Sequence, residues 1–151
     1  MDIRSLRIGD IVTTNGIPAC SKKGDWYKII AIDGKDTFTD KKGVEHIGNV
    51  SLESVEDEYA YIGGAWVNYL EPIPITDELL EKFGIRFMLR NNTSRIYMIG
   101  ICSIQKIVNA DYYTFTAEAG RMNIRTSKHI KYLHELQHEM FDLGIELEIK
   151  I

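Results

Sequence analysis

The chain has 151 residues, of which 44% are hydrophobic, 26% charged and 10% aromatic. These proportions exclude a disordered chain and are typical of one globular domain, or of two small units that each bury a core. The net charge of −4 disfavours broad electrostatic attraction to nucleic acid. The acidic side chains are densest at residues 53–58, which we interpret as a solvated loop.

The sequence predicts a cytoplasmic protein without a membrane segment. Its first residues, Met1 to Ser5, have no apolar run after a basic start, and its most apolar stretch, residues 96–107, is interrupted by polar side chains. Cys20 and Cys102 stand far apart without a CxxC spacing, which is typical of thiols in a reducing compartment.

Short strands separated by turns are predicted for residues 1–72. Turn dipeptides stand at Asn15-Gly16, Asp33-Gly34 and Lys42-Gly43. This spacing indicates a small, strongly bent antiparallel sheet or an SH3-like barrel. The strands are expected at residues 6–12, with a bend at Gly9-Asp10, and at residues 26–32, 37–39, 44–47 and 66–70.

A domain boundary is predicted in the proline-containing segment 71–75, which must be extended because proline restricts both its own backbone and its predecessor's. Residues 73–151 are expected to form an α+β subdomain packed against the first. Thr76 should cap a short helix that Gly84 ends. Further antiparallel strands are expected at residues 85–89, 95–101 and 112–116.

The C-terminal part changes to a helical period from about Ser127. One apolar stripe is predicted, with Gly144 as the end of the helix. Residues 145–151 then alternate between apolar and charged side chains, which predicts a final strand with one buried face. The fold class is therefore α+β. The stripe consists of Ile130, Leu133, Leu136, Met140 and Phe141.

Three segments carry a resemblance to a known group of proteins. They are LRIGDIV at 6–12, LEPIPITDELLEKFG at 70–84 and YLHELQH at 132–138. In these landmarks the chain resembles small uncharacterised proteins of gut Bacteroidetes, often found in phage-like or mobile elements. The resemblance implies no reaction. In that group the closing helix tends to have Gln and Asn where this chain has Glu135 and His138.

His134, Glu135 and His138 match the HExxH pattern of zinc hydrolases. On a helix, two histidines four residues apart can share a Zn²⁺ ion, and the glutamate can activate its water. A third ligand is missing, because Phe141 and Gly144 occupy the positions of the extended motif's glycine and histidine. Helical spacing also places His138 toward solvent. We therefore predict no metal and no catalytic residues, and keep the zinc hydrolase as an unlikely alternative.

Other chemical signatures point to binding more than to catalysis. The sequence contains no GxGxxG, P-loop or GxSxG motif, although an active site assembled from scattered residues stays open. Aromatic residues interleaved with lysines in the first half are compatible with stacking on single-stranded nucleic acid, or with an ordinary core. The candidate binding residues are His134, Trp26, Trp66 and Tyr69.

The sequence thus predicts a non-enzymatic intracellular accessory protein of a bacterial genome or mobile element. It is expected to bind a macromolecular partner, protein in preference to nucleic acid, and to need no cofactor. A nucleic-acid-binding small barrel is the alternative. Neither the partner nor the oligomeric state is indicated by any motif.

Overall fold

The structure, a computed structural model, describes residues 1–57, 60–119 and 124–147. The chain divides into two units, Met1–Ile73 and Pro74–Lys150. Each unit is built on an antiparallel sheet, and the second also has two helices, so the fold class is α+β. No helix among these residues has the length and apolarity needed to cross a membrane.

The first unit is a five-stranded antiparallel sheet with the strand order β4-β3-β2-β1-β5. Short 3-10 helices precede β1 and join β4 to β5. Within the described residues no pairing joins β4 to β5, so the sheet is not closed. The strands are β1 (Ile11–Thr14), β2 (Trp26–Thr39), β3 (Glu45–Ser54), β4 (Tyr61–Trp66) and β5 (Leu70–Glu71), and the 3-10 helices are Ile3–Ser5 and Val67–Tyr69.

The turn predicted at Asp33-Gly34 is wrong, because both residues lie inside the long strand β2. The pairing register with β3 shifts between Asp33 and Thr37, which is a bulge. The Asp33 carboxylate accepts a hydrogen bond from the Lys35 N–H at 3.0 Å, as in a turn. The hydrogen bond typical of a turn is therefore present. Pairing with β3 on both sides nevertheless keeps these residues in one continuous strand, which bends at this point.

Two further predicted strands of the first unit are corrected. Residues 66–70 form the end of β4, the 3-10 helix Val67–Tyr69 and the first residue of β5, and Val67 and Leu70 are both buried. Their spacing of three matches the 3-10 period. Of residues 6–12, only Ile11 and Val12 lie in a strand, because Gly9 takes a positive φ of 100°. The core comprises Leu6, Val12, Tyr27, Ile29, Val50, Leu52, Ile62, Ala65, Val67 and Leu70.

The second unit is a five-stranded antiparallel meander, in which neighbouring strands of the sheet are also neighbours in the chain. The fully buried side chains of this unit include Tyr97, Phe115, Leu80, Leu136 and Met140. The elements are α1 (Asp77–Lys82), β6 (Arg86–Arg90), β7 (Ser94–Ile99), β8 (Cys102–Ile107), β9 (Tyr113–Ala119), β10 (Ile124–Ile130) and α2 (Leu133–Asp142).

Helix α1 begins and ends where its local sequence signals predict. The Thr76 hydroxyl accepts a hydrogen bond from the Leu79 N–H at 3.1 Å, which satisfies one of the unpaired donors of the first turn. Gly84, with a φ of 70°, ends the helix in the left-handed conformation. Leu79, Leu80 and Phe83 are buried, as predicted for its apolar side.

Two boundaries in the second unit differ from their predictions. Residues 95–101 form no single strand, because a tight turn at Gly100 separates β7 from β8, with Ile99 opposite Cys102. The helix predicted from about Ser127 begins only at Leu133, because residues 124–130 pair with β9. Apolar side chains in a strand and in the helix that follows it can mimic one continuous helical stripe.

The end of the chain also departs from the predicted pattern. Phe141 is 77% exposed and does not belong to the buried stripe of α2. At 100° per residue it lies well round the helix from Leu133, Leu136 and Met140. The predicted final strand is not formed at residues 145–147, and residues 148–151 lie outside the described part of the chain.

Candidate binding surface

Four aromatic side chains meet at one end of the sheet of the first unit. Phe38 near the end of β2 stacks on Trp66 at the end of β4, with ring centroids 5.9 Å apart and an interplanar angle of 13°. His46 on β3 lies 5.8 Å from Trp66 and 5.3 Å from Tyr69 of the 3-10 helix. We call Phe38, His46, Trp66 and Tyr69 the aromatic cluster.

Register explains how these residues meet although they are distant in sequence. Phe38 and His46 are direct cross-strand partners in the hairpin of β2 and β3. Side chains of such partners lie on the same face of the sheet. The 3-10 helix after β4 turns the chain so that Tyr69 also reaches His46. The cluster is therefore a product of strand pairing and of the connection between β4 and β5.

His46 lies on the buried side of the cluster and is held by polar contacts at both ring nitrogens. Its Nδ1 lies 3.0 Å from the Asn68 Oδ1, and its Nε2 lies 3.5 Å from the Asp40 Oδ2. Only 2% of His46 is exposed. A buried ring fixed in this way cannot rotate freely, so it gives the aromatic cluster a defined geometry.

The Asp40 carboxylate organises the turn beside the cluster. Its Oδ1 accepts hydrogen bonds from the backbone N–H groups of Val44 at 3.0 Å and Lys42 at 2.8 Å. The hydrogen bond from Val44, followed by those from Lys42 and His46, holds the pKa of Asp40 below its ordinary value. Asp40 therefore carries a negative charge next to the aromatic rings at neutral pH.

The outer side of the cluster is open to solvent. Phe38 is 51% exposed although it is a large apolar ring, and Val44 in the adjacent turn is exposed as well. Trp66 and Tyr69 are half-buried. A contiguous exposed apolar patch of this kind on a rigid support is typical of a binding surface.

The structure brings together two of the four predicted binding residues. Trp66 and Tyr69 both belong to the aromatic cluster. Trp26 begins β2 and pairs with Thr13, at the opposite end of the strand from Phe38. His134 lies in the second unit.

Sequence reasoning missed two members of the cluster, Phe38 and His46. The signal that would have found them is the Lys42-Gly43 turn, which makes the two flanking segments a hairpin. In such a hairpin Phe38 faces His46.

The HExxH segment lies on α2, but its glutamate is engaged elsewhere. The Glu135 Oε2 accepts hydrogen bonds from the backbone N–H groups of Lys131 at 2.7 Å and Tyr132 at 3.1 Å. This is the carboxylate side of a capping box, which satisfies donors at the start of the helix. Because the Glu135 carboxylate already accepts these hydrogen bonds, it is less available to activate a metal-bound water.

The two histidines of this segment are less exposed than the helical spacing predicts. His134 is only 4% exposed and stacks on Tyr132, and His138 is half-buried. The two imidazole rings meet edge to face with centroids 5.9 Å apart. Among the residues that the structure describes, no group of three or more His, Cys, Asp or Glu side chains is arranged to hold a metal ion.

Protein purified without added metal or chelator is expected to contain far less than one zinc ion per chain. Two histidines and an engaged glutamate supply fewer ligands than the three that catalytic zinc sites use. The variants His138→Ala and Glu135→Gln should keep the fold, since glutamine retains an oxygen that can accept from both N–H groups. Elemental analysis measures the ratio, and a value near one that falls in His138→Ala would revive the hydrolase.

Comparison of the chain with protein families, with curated proteins and with solved structures finds no significant match.

Proposed function

We propose that this protein is a non-enzymatic accessory protein that binds a macromolecular partner through the aromatic cluster. The observation that carries the proposal is the half-exposed Phe38 ring, stacked on Trp66 above the buried His46. Aromatic side chains in a rigid, partly buried setting are the residues that contribute most binding energy in protein interfaces.

Preorganisation supports this proposal. The hydrogen-bonding contacts of His46 with Asn68 and Asp40, and the near-parallel stacking of Phe38 on Trp66, fix the rings before any partner arrives. A side chain that is already ordered loses little conformational entropy on binding, so more of its burial contributes to affinity. If no partner bound to the exposed Phe38 ring, holding it in a fixed orientation would bring no advantage.

The net charge of the chain favours a protein partner over nucleic acid. Asp40 lies against His46, and Asp36 accepts a hydrogen bond from Asn49 at 3.1 Å on the same hairpin. Lys41 and Lys42 in the turn of the same hairpin offset these carboxylates, so the disadvantage for a phosphate backbone rests on the chain's net charge of −4. A peptide segment with an apolar or aromatic side chain and a nearby cation matches the surface better.

We also propose that the first unit is an SH3-like small barrel. The strand order β5-β1-β2-β3-β4 and the 3-10 helix between β4 and β5 support this assignment. The bulges in β2 bend the sheet, as barrel closure requires. Small barrels of this type commonly present aromatic residues from a turn and a 3-10 helix to extended peptides.

The cellular setting is proposed from the sequence. Separate cysteines, one exposed at Cys20 and one buried at Cys102, are compatible with the cytoplasm. The resemblance at residues 6–12, 70–84 and 132–138 supports an accessory role in a bacterial genome or mobile element.

Phe38→Ala is expected to weaken binding of the native partner at least about tenfold, because it removes the exposed ring of the aromatic cluster. The matched control is Tyr61→Ala, which removes an aromatic ring that is 56% exposed on β4 of the same unit, outside the cluster. Partners captured from native cells with the unaltered chain are identified, purified and titrated against both variants. Equal loss in the two variants, or no loss in Phe38→Ala, would contradict the proposal.

Titration with labelled single-stranded DNA and RNA distinguishes the alternative function. We expect no sequence-independent binding at physiological salt, because the chain's net charge of −4 opposes phosphate. Binding that decreases steeply with salt and is lost in Phe38→Ala would identify the cluster as a base-stacking surface instead.

A further inference from the structure

The second unit contains a cleft of about 390 Å³ that is separate from the aromatic cluster. It lies between the start of α1, strand β7 and the connection from β8 to β9. A cleft of this size suits a small molecule or the end of a peptide. Its walls combine charged groups, among them Arg95 and Lys106, with the apolar side chains of Ile107 and Val108.

Strand register concentrates positive charge beside this cleft. Arg90 on β6, Arg95 on β7 and Lys106 on β8 are successive cross-strand partners, so they form one row across the sheet. Like charges directly opposite each other destabilise a sheet unless anionic groups compensate them. Anionic groups are therefore expected to face this row.

Asp77 compensates Arg95. Its Oδ2 forms an ion pair with the Arg95 guanidinium, and its Oδ1 accepts a hydrogen bond from the Tyr113 hydroxyl at 2.8 Å. Glu78 also lines the cleft, but its own backbone N–H and the Thr76 hydroxyl hydrogen-bond its carboxylate and lower its pKa. Both carboxylates therefore already have partners, Asp77 on the sheet and Glu78 at the start of α1.

The Lys106 ammonium is the cation of the cleft that forms no ion pair within the described residues, although its charge also acts on the Asp111 carboxylate, which is paired with Lys131. The Lys106 Nζ lies over the Tyr113 ring, 4.5 Å from the centroid. Within residues 1–57, 60–119 and 124–147, no carboxylate lies within ion-pair distance of it. The aromatic ring holds the ammonium in place, and its hydrogen-bond donors stay available to a ligand.

We infer that this cleft binds a group that carries one carboxylate and a hydrocarbon portion. The carboxylate would accept hydrogen bonds from Lys106. The hydrocarbon portion would cover Ile107 and Val108, which are about half exposed, and approach the buried Ile75. Pairing one cation with one anion, and apolar side chains with a hydrocarbon, is the arrangement of ordinary small-ligand sites.

Charge favours a carboxylate over a phosphate. Arg95 and Lys106 balance the charges of Asp77 and Glu78 at the cleft, and Lys106 is the cation without an ion pair among the described residues, so a second negative charge on the ligand would meet only the repulsion of Glu78. A carboxylate of this kind has two sources, a free small acid and the C-terminal end of a peptide with an apolar last residue. The inference does not rest on the aromatic cluster, and the two sites are tested separately.

The test is calorimetric titration of the full chain with four probes. They are 4-methylpentanoate, a short peptide ending in leucine, the same peptide with an amidated end, and inorganic phosphate. At least one of the first two is expected to bind, and the amidated peptide and phosphate are expected to bind at least about tenfold more weakly. Preference between the first two probes identifies the source.

Variants locate the site. Lys106→Gln is expected to weaken binding of the better probe at least about tenfold, and Lys106→Arg should retain most of it. Lys128→Gln, which removes an exposed lysine paired with Glu139, is the matched control and should leave binding unchanged. In the unaltered protein, the changes in backbone amide NMR shifts on titration should be largest at Ile107, Val108 and Asn109. This measurement does not depend on how well the variants fold.

Three results would overturn the inference. They are failure of both carboxylate probes to bind, equal binding of the amidated peptide or phosphate, and NMR shifts concentrated away from the cleft. Loss of partner binding in Phe38→Ala with unchanged probe binding would leave both proposals standing. Unchanged partner binding in Phe38→Ala, together with probe binding that depends on Lys106, would leave the cleft and remove the aromatic cluster.

Discussion

Replacing Leu136 with alanine is expected to lower the free energy of unfolding by about 2 to 5 kcal/mol. Leu136 lies in the middle of α2, and none of its surface is exposed to solvent. Truncation removes buried apolar surface and leaves a cavity that the surrounding side chains can fill only in part. Since domains of this size are stable by only about 5 to 15 kcal/mol, the loss is a large share of the total.

The control is Phe141→Ala on the same helix. It removes a larger side chain, but Phe141 is 77% exposed, so the expected change is within about 0.5 kcal/mol. Urea unfolding should be followed by circular dichroism at helical wavelengths, because both tryptophans, Trp26 and Trp66, lie in the first unit and their fluorescence does not report on α2. Equal destabilisation by the two variants would show that α2 is packed differently.

Local signals were sufficient to predict α1. Its cap at Thr76, its buried Leu79 and Leu80, and its end at Gly84 all depend on residues within one short segment. Capping and positive φ are properties of neighbouring residues, so they can be read from one stretch of chain. The same holds for the antiparallel character of the second sheet, whose strands follow one another along the chain.

Boundaries that depend on distant partners were not predictable in the same way. Asp33-Gly34 has the chemistry of a turn, yet pairing with β3 keeps it within β2 as a bulge. Residues 127–130 continue the apolar spacing of α2, yet pairing with β9 makes them a strand. In both places hydrogen bonds to another segment outweigh a local preference of a few tenths of a kcal/mol to about 1 kcal/mol.

The candidate site likewise combines residues that the local sequence indicates with residues that only strand pairing brings together. Trp66 and Tyr69 were candidates because aromatic residues interleaved with lysines are compatible with a stacking surface, and their role in binding stays a prediction. Phe38 and His46 join them through the register of β2 with β3, and the Lys42-Gly43 turn indicates this hairpin without fixing its register to the residue. The row of Arg90, Arg95 and Lys106 could not be foreseen for the same reason, because a shift of one residue would move each side chain to the other face.

Alkaline pH is expected to destabilise the second unit through Tyr113. Burial, and to a lesser extent the nearby Tyr97 and Glu78, raises the pKa of Tyr113 from 10.0 to about 12. In the unfolded chain the phenol ionises near its ordinary pKa, whereas in the folded protein it keeps its proton until about pH 12. The stabilisation is therefore fully present below about pH 10 and is lost as the pH rises toward 12.

The free energy of unfolding is expected to decrease by about 1 to 2 kcal/mol as Tyr113 ionises. The full effect of a pKa difference of about two units is about 2.7 kcal/mol, and solvent screening reduces it. Tyr113→Phe removes the ionisable group, so its free energy of unfolding should decrease less steeply between about pH 9 and 11.5. At neutral pH the variant should be less stable by about 0.5 to 1.5 kcal/mol, because Asp77 loses the hydroxyl that donates to it at 2.8 Å.

Two measurements check this expectation. Urea unfolding followed by circular dichroism gives the pH dependence for the unaltered chain and for Tyr113→Phe. The difference between their absorbance titrations at tyrosinate wavelengths gives the pKa of Tyr113 itself. If that difference titrates near pH 10, or if the two stability curves run parallel, the Tyr113 hydroxyl is not held in the buried contact with Asp77, and the wall of the cleft beside Lys106 is arranged differently.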